Sequence, residues 1–268
     1  MNDIFGFIGT GNMGGALARA VAMAVFNEKL LLSDGYAPVA EKLAQELGCT
    51  ALPVNEVAQK AGFVFLGVKP QVMETMLSGI APILAARKND FVLVSMAAGL
   101  SIEKIQKMAG GNYPVIRIMP NIPVKVGGGV ILYDATENVP EEAITAFRSA
   151  LAGAGLVDRL PEKLIDAGSA LSGCGPAFVS LFAEALADGA VECGLPRDKA
   201  LSYALQTIAG TAQYLLSTGE HPAQLKDAVC SPGGTTIAGV HAMELGGFRG
   251  AAAEAVICAY QKTLELGK

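Results

Sequence analysis

A glycine-rich turn near the beginning of the chain limits the possible folds more than any other feature. A short run of β-favouring residues at 4–8 leads into Gly9-Thr10-Gly11-Asn12-Met13-Gly14, and a helical, apolar-periodic segment follows. This is the GxGxxG pattern in its required setting, with a strand before it and a helix after it. The first glycine makes the turn, the second lets a pyrophosphate approach the backbone, and the third lets helix and strand pack closely. The residues predicted to bind a dinucleotide are Gly9, Gly11, Asn12, Met13 and Gly14; a glycine-rich turn without a ligand is the alternative.

An acidic residue follows the next predicted strand. Residues 30–32 are three leucines, and Asp34 comes 20 residues after Gly14. A carboxylate at this place bonds the 2′-hydroxyl of the adenosine ribose in NAD, whereas the 2′-phosphate of NADP favours Arg or Lys nearby. No basic residue stands at 33–36, and the next one along the chain is Lys42. We therefore expect Asp34 to contact an NAD ribose, with a simple turn residue as the alternative.

Strand and helix signals alternate along the first 160 residues. β-rich runs are predicted at residues 4–8, 30–32, 63–68, 91–95, 115–119, 130–133 and 156–159, and helical segments lie between most of them. Among these segments are a helix at 72–84 and a helix at 102–108, for which Ser101 is the expected N-cap. Repeated βαβ units of this kind predict a parallel, doubly wound sheet. The expected fold class is α/β, with an N-terminal Rossmann-type, doubly wound, mostly parallel sheet in a dinucleotide-binding domain over residues 1–160.

The character of the sequence changes near Pro161, after which strand signals stop. Residues 161–268 are predicted to form an all-helical domain, and the helical run from Phe178 to Val191 is apolar on most of its faces. A helix that is apolar nearly all round must be buried on all sides, and a domain of roughly 105 residues cannot easily do that alone. We therefore expect a second subunit to cover it, in a homodimer or a larger assembly.

A second tight loop opens a helix in the C-terminal half. A polar, helix-like run at 225–229 stops at Ser231-Pro232-Gly233-Gly234, and Thr235-Thr236 leads into an apolar-periodic run. Pro and paired Gly form turns, and Ser or Thr is a preferred helix N-cap. Such a loop presents unpaired backbone N–H groups at the positive end of a helix dipole, which suits a small anion. An ordinary helix–turn–helix joint is the alternative.

Five separate motifs, spread over almost the whole chain, resemble those of the pyrroline-5-carboxylate reductase family. Besides the N-terminal glycine motif they are Val68-Lys69-Pro70, Arg117-Ile118-Met119-Pro120-Asn121, Ser172-Gly173-Cys174-Gly175-Pro176-Ala177 and the SPGGTTIAG run at 231–239. The resemblance implies an enzyme of the last step of proline synthesis, which transfers a hydride from NADP- or NAD-type cofactors to the imine carbon of 1-pyrroline-5-carboxylate. It also implies a dimer formed by the C-terminal helices. The family mostly has Ser, Thr, Asn or Arg at the position of Asp34, and it often prefers NADPH.

The resemblance also implies roles for particular residues. Thr236 is expected to be the catalytic residue, with its hydroxyl bonded to the ring nitrogen of the substrate. The residues expected to bind the substrate are Val229, Ser231, Gly233, Gly234 and Thr235. The residues expected at the cofactor, besides the glycine motif and Asp34, are Asn55, Val68, Lys69, Pro70, Ala97, Ala98, Gly99 and Asn121. A solvated loop lysine is the alternative for Lys69, and a structural asparagine in a proline turn is the alternative for Asn121.

Composition and terminal patterns restrict the other classes of function. The net charge of −5 disfavours nucleic-acid binding, and no unbroken apolar run reaches the roughly 18 residues of a membrane span. The first residues lack a basic n-region, so no signal peptide is expected and the cytoplasm is the expected location. Five scattered cysteines without a CxxC pair, and only two histidines, argue against a metal site. The expected partners are therefore a small-molecule substrate and a second copy of the chain.

Three alternatives remain open. A dehydrogenase of the 3-hydroxyisobutyrate or 6-phosphogluconate type begins with a similar glycine motif, but it needs a lysine in the first helix of its second domain. Residues 169–184 contain no lysine, and Pro176 is expected to interrupt a helix there. A deazaflavin-dependent reductase shares the first domain but does not need the loop at 231–236. A nucleotide-sensing regulatory protein without turnover would be indicated by loss of Thr236 or of the paired glycines, and both are present.

Overall fold

The computed structural model describes residues 2–266, which divide into two compact units. One unit covers the chain up to Gly173 together with the end of the last helix from Tyr260, and the other covers Cys174–Ala259. The strands of the first unit are β1 (Phe5–Ile8), β2 (Leu30–Ser33), β3 (Thr50–Ala51), β4 (Phe63–Leu66), β5 (Val92–Ser95), β6 (Val115–Pro120), β7 (Gly129–Ala135) and β8 (Gly155–Arg159). Its helices are α1 (Asn12–Ala24), α2 (Ala37–Leu47), α3 (Val54–Lys60), α4 (Pro70–Ala86), α5 (Ile102–Ala109), α6 (Glu141–Leu151) and α7 (Glu162–Ser172).

The strands form one sheet in the order β3-β2-β1-β4-β5-β6-β7-β8. The first six are parallel to one another, which confirms the predicted mostly parallel, doubly wound arrangement. β7 runs antiparallel to β6, and β8 is parallel to β7. The link from β6 to β7 holds only a 3₁₀ turn at Ile122–Val126. It is too short for the helical crossover that parallel neighbours need, so the chain reverses direction there.

Helices cover both faces of the sheet because both faces are apolar. Alternate residues of β1 and β4 lie on opposite faces. On one face Phe5 stacks on Phe63 with 4.8 Å between ring centroids, Phe7 stacks on Phe65 at 4.3 Å, and these rings share a core with α1, α2 and α6. The residues between them, Val64 among them, share a core with α3, α4 and α5. The carboxyl ends of the parallel strands are thereby held in one rigid edge, where such sheets bind ligands.

Three differences from the expected elements have local causes. The sequence does not predict β3, because two residues are too few to carry a periodic signal. The helix predicted at 72–84 is α4, which begins at Pro70 because proline suits the first turn of a helix. The third difference concerns α7, which belongs to the compact unit of the sheet, so that the units divide at Gly173 whereas the expected domain boundary lies at 160.

The second unit consists of helices with many exposed apolar side chains. They are α8 (Gly175–Glu192), α9 (Arg197–Thr218), α10 (Pro222–Ala228), α11 (Thr235–Leu245) and the larger part of α12 (Phe248–Leu266). In α8 only Ala183 and Ala187 are buried, whereas Leu181 is 68% exposed. Neither α10 nor α11 has a buried residue. Within this chain the helices therefore leave uncovered the apolar faces for which the sequence predicts a second subunit.

One helical stretch within residues 2–266 is long and apolar enough to cross a membrane, by length and composition only. It spans Glu162–Glu192, with a mean hydropathy of 1.4 in its most apolar window. The stretch comprises α7 and α8, and a search for unbroken apolar runs misses it because small polar residues interrupt the sequence. Pro176 stands in the first turn of α8 and begins that helix, whereas the sequence reading has it interrupt one. Helices of subunit interfaces meet the same criterion, since they are apolar on several faces.

Candidate active site in two compact units

The loop between β1 and α1 leaves little room for side chains. Gly9 has φ +96°, a left-handed conformation that favours glycine. A Cβ on Gly14 would lie 2.0 Å from the carbonyl oxygen of Gly9, and a Cβ on Gly67 would lie 2.3 Å from the same oxygen. At Gly11, by contrast, a Cβ would meet no atom of the chain within 4 Å. The loop is thus packed tightly against the end of β4 but is open at Gly11, as a pyrophosphate-binding turn requires.

The start of α1 offers backbone N–H groups to an anion. Gly11 is the N-cap residue, and no side chain within residues 2–266 caps this helix. The N–H groups of Asn12 and Met13, in the first turn, therefore lack the side-chain acceptor that many helix starts have. The helix dipole adds a partial positive charge at the same place, and phosphate groups bind such helix ends. All the predicted residues of the glycine motif lie together in this turn.

Asp34 directly follows β2 and is bonded to the glycine-rich turn. Its Oδ2 accepts hydrogen bonds from the Thr10 backbone N–H at 2.8 Å and from the Thr10 hydroxyl at 3.2 Å. Its Oδ1 accepts one from the backbone N–H of Tyr36 at 3.1 Å. Asp34 also lines a cavity of about 520 Å³, together with residues of β1 and of the loops after β3 and β4. A volume of this size suits a small-molecule ligand.

The loop after β4 brings three more of the predicted residues to this edge of the sheet. Val68 is half-buried and lines the cavity beside Asp34. Lys69 is exposed and is the N-cap residue of α4, which begins at Pro70. Asn55, in contrast, is exposed in the first turn of α3 and does not line that cavity. The structure therefore groups residues 68–70 with Asp34 and the glycine motif at the carboxyl ends of the strands, and it leaves Asn55 at the rim.

The loop after β5 supplies the predicted small residues. Ala97 is buried, Ala98 is exposed, and Gly99 has φ +75°. Ser101 then caps α5 by accepting a hydrogen bond from the backbone N–H of Lys104 at 3.2 Å, which confirms the predicted cap. Small side chains leave the backbone of this loop accessible at the same edge as the glycine motif.

Asn121 follows β6 and is buried, at 7% exposure. Its Oδ1 accepts a hydrogen bond from the backbone N–H of Val130 at 2.8 Å, and its Nδ2 donates to the carbonyl of Ser172 at 2.9 Å. The side chain therefore joins the end of β6 to β7 and to the end of α7. These bonds give Asn121 a structural task, and its contact with a cofactor stays a prediction.

An ion-pair network around a buried arginine of β6 is not part of the sequence prediction. Arg117, which is 4% exposed, donates to Glu162 Oε1 at 3.2 Å and to Asp166 Oδ1 at 2.7 Å. The same Oε1 of Glu162 accepts from the backbone N–H of Ile102 at 2.7 Å, so that α7 and the start of α5 are tied to β6. The available signal was a charged residue inside an otherwise apolar strand. Gly67 is also missed, although a single glycine at a strand end indicates a close backbone approach.

The predicted substrate loop is a tight turn in the second unit. The N–H of Gly234 donates to the carbonyl of Ser231 at 3.0 Å, across Pro232 and Gly233. Gly233 has φ +67°, and Pro followed by a left-handed Gly is the pattern of a type II turn. A Cβ on Gly234 would lie 2.3 Å from Ser231 Oγ and 3.1 Å from the Ser231 carbonyl oxygen, so that a larger residue here would require the Ser231 side chain to move.

Helix α11 begins directly after this turn, at Thr235. Gly234 is its N-cap residue, so the expected Ser or Thr cap is wrong; glycine is itself an accepted N-cap residue. Thr235 and Thr236 occupy the first two helical positions and are exposed, as is Val229 before the turn. No side chain in the described part of the chain caps α11. The first turn therefore has N–H groups without a side-chain acceptor beside two exposed hydroxyls, an arrangement that suits a small anion.

The first unit fits a dinucleotide, and the described part of the chain shows no metal centre. Within residues 2–266 no three His, Cys, Asp or Glu side chains are grouped as metal ligands would be. The open space at Gly11 and the uncapped start of α1 fit a pyrophosphate, and the fixed carboxylate of Asp34 fits a ribose hydroxyl. Together with the doubly wound sheet, these features define the chain as a dinucleotide-binding α/β protein with an additional helical domain.

Comparisons with known proteins give the family. The model described as pyrroline-5-carboxylate reductase dimerisation matches residues 162–266, and the model described as NADP oxidoreductase coenzyme F420-dependent matches residues 4–99, the part that a deazaflavin-dependent reductase would share. A pyrroline-5-carboxylate reductase of Glycine max is 42% identical over 264 residues, which cover 97% of this chain and 95% of that relative. The chain belongs to the pyrroline-5-carboxylate reductase family.

Solved structures of this family share the architecture. The pyrroline-5-carboxylate reductase of Coxiella burnetii aligns over the whole of both chains with a TM-score of 0.92 at 29% identity. The pyrroline carboxylate reductase of Plasmodium falciparum, solved with NADP bound, aligns over 100% of this chain and 99% of its own with a TM-score of 0.86 at 31% identity. The predicted combination of a Rossmann-type sheet with a C-terminal helical domain is thereby confirmed.

Proposed function

We propose that this protein reduces 1-pyrroline-5-carboxylate to L-proline with NADH or NADPH, the last step of proline biosynthesis. The observation that carries the proposal is the match to the family over the whole chain, with both the glycine motif and the loop at 231–236 intact. A deazaflavin-dependent reductase or a regulatory protein would need only the first of these two loops. The alignment with the relatives covers both loops.

The first unit binds the cofactor, which supplies the hydride when bound. The N–H groups at the start of α1 hold the pyrophosphate, and Asp34 accepts a hydrogen bond from the adenosine ribose. Val68, Lys69 and Pro70, together with residues 97–99, form the loops that follow β4 and β5 and line the path toward the nicotinamide. Support comes from their shared position at the carboxyl ends of parallel strands, where open α/β sheets bind ligands.

The second unit binds the substrate. The N–H groups in the first turn of α11 hold the carboxylate, with Ser231, Gly233, Gly234 and Thr235 around it. Thr236 is the catalytic residue, because its hydroxyl hydrogen-bonds the ring nitrogen and orients the imine carbon for hydride transfer. The hydride forms a bond to that carbon, and the electron pair of the C=N double bond passes to the nitrogen. An imine that arrives protonated from water needs no further acid from the protein, which explains why a threonine suffices.

The exposed apolar helices of the second unit form the interface between two copies of the chain. In support, α8 has two buried residues, both alanines, while Leu181 is 68% exposed, and residues 162–266 match a dimerisation model. Burying such faces is the main favourable contribution to association. We further propose that the enzyme works in the cytoplasm, where thiols stay reduced, since its five cysteines are all free thiols.

The test uses a reduced cofactor that carries deuterium at its transferable position. Incubation with 1-pyrroline-5-carboxylate should give proline with one deuterium at the carbon that was the imine carbon, detected by mass spectrometry. Omission of the protein is the control. Proline without deuterium, or no proline from protein that still binds the cofactor, would contradict the proposed reaction.

A further inference from the structure

The adenosine end of the cofactor cavity has an acidic lining. Two of the residues that line this cavity are charged, Asp34 at the end of β2 and Glu41 in α2, and both are carboxylates. No lysine or arginine within the described chain lines it. A 2′-phosphate carries about two negative charges near pH 7 and needs cationic partners, and the cavity offers charges of the opposite kind.

The carboxylate of Asp34 cannot turn away from a ligand easily. Each of its oxygens is held by a backbone N–H, Oδ2 by Thr10 at 2.8 Å and Oδ1 by Tyr36 at 3.1 Å. An ionised carboxylate only accepts hydrogen bonds, and each oxygen has room for more than one. Asp34 can therefore accept a further bond from a ribose hydroxyl without losing its present partners, whereas a phosphate in the same place brings no hydrogen to donate.

The nearby cations do not offset this charge. Arg19 donates to both carboxylate oxygens of Glu46 at 2.7 Å and also to the carbonyl of Gly15 at 3.2 Å. Lys42 lines a neighbouring cleft, next to Thr10, that also contains Arg19 and Glu46. Arg19 is therefore paired with Glu46, and Lys42 shares its cleft with the same carboxylate. The charged residues that line the cofactor cavity are Asp34 and Glu41.

We propose that Asp34 selects NADH over NADPH, by accepting a hydrogen bond from the ribose 2′-hydroxyl and by repelling, together with Glu41, the 2′-phosphate. This rests on the proposed function only in that the first unit binds a nicotinamide dinucleotide. Two like charges about 4 Å apart at a protein surface repel strongly enough to change affinity by more than tenfold. NADH therefore binds at least about tenfold more tightly than NADPH at low salt, and added salt narrows the ratio.

The test measures binding, so that it does not depend on the substrate. Dissociation constants of NADH and NADPH are determined by calorimetric titration of the full-length protein without 1-pyrroline-5-carboxylate. Asp34→Asn keeps an oxygen that accepts from Thr10 but removes the charge, and it should tighten NADPH binding severalfold and bring the ratio close to one. Glu41→Gln should shift the ratio in the same direction by less. Lys42→Ala is the matched control and should leave both constants unchanged.

The binding measurement can fail independently of the test of the proposed reaction. Equal or tighter binding of NADPH by the unchanged protein would overturn the inference, and so would an unchanged ratio in a folded Asp34→Asn variant. Selective NADH binding without turnover of the imine would support the inference and would contradict only the assignment of 1-pyrroline-5-carboxylate as the substrate. Binding of neither cofactor would overturn the inference together with the cofactor part of the proposed function.

Discussion

Two glycines three positions apart should differ in how far one added methyl group destabilises the protein. At Gly11 a Cβ would meet no atom of the chain within 4 Å, while at Gly14 it would lie 2.0 Å from the Gly9 carbonyl oxygen. In Gly11→Ala the loss of a good N-cap residue lowers the free energy of unfolding by up to about 1 kcal/mol. The unfolded chain is also less flexible with alanine, which raises the free energy of unfolding by about 0.4–1 kcal/mol. The melting temperature should therefore change by no more than about 4 °C.

The same Gly11→Ala variant should bind the cofactor poorly. The methyl group occupies the space where a pyrophosphate approaches the backbone, and two charge-assisted hydrogen bonds of about 1.5–3 kcal/mol each are weakened or lost. A loss of about 3 kcal/mol corresponds to a dissociation constant roughly 100-fold higher. Gly14→Ala should lose both cofactor binding and stability, because the backbone itself must move.

The assay combines thermal unfolding of both variants with titration of NADH into each. The expected pattern is a stable Gly11→Ala protein that hardly binds, beside a destabilised Gly14→Ala protein. Binding by Gly11→Ala within about threefold of the unchanged protein would refute the assignment of this loop to the pyrophosphate. A melting temperature of Gly11→Ala as low as that of Gly14→Ala would refute the argument from space.

Three further variants test the other parts of the account. Thr236→Ala should lower kcat by about 10- to 100-fold, the loss of one hydrogen bond of roughly 1.5–3 kcal/mol, with the dissociation constant of NADH unchanged, and Thr236→Ser should recover much of the rate; equal rates in all three proteins would remove Thr236 from catalysis. Arg117→Met removes the buried cation from Glu162 and Asp166, whose side chains are each 30% exposed. Water reaches both carboxylates, so the free energy of unfolding by denaturant should fall by about 2 kcal/mol, less than for a fully buried pair, whereas a loss below about 1 kcal/mol would show that the network contributes little. Leu181→Glu places a charge on the exposed apolar face of α8 and should shift the protein toward monomers in sedimentation, and an unchanged assembly would place the interface elsewhere.

Local signals in the sequence predict the local features of this molecule well. The glycine motif, the Ser101 cap and the strands from β1 to β6 other than β3 depend on residues close together in the chain, so that spacing and propensity suffice. The sequence does not predict β3, because a strand of two residues has no alternating pattern. The direction of β7 depends on how short its link from β6 is, which propensity does not report.

Contacts between distant parts of the chain are the features that the sequence does not predict. The approach of Gly67 to Gly9 and the bonds of Arg117 to Glu162 and Asp166 join segments more than 40 residues apart. Asn121 shows the same limit, since its motif gives its position but not its bonds to β7 and α7. At the substrate loop the N-cap residue is Gly234 and not Ser or Thr, because the turn closed by the bond from the Gly234 N–H to the Ser231 carbonyl sets where α11 begins.

The most direct test of the central claim is a parallel measurement of NADH and NADPH oxidation with 1-pyrroline-5-carboxylate as the only other substrate. The account predicts turnover that requires the imine, forms proline in equal amount to the cofactor oxidised, and has the higher kcat/KM with NADH. No imine-dependent oxidation of either cofactor, by folded protein that binds NADH, would contradict the claim that this chain is a pyrroline-5-carboxylate reductase.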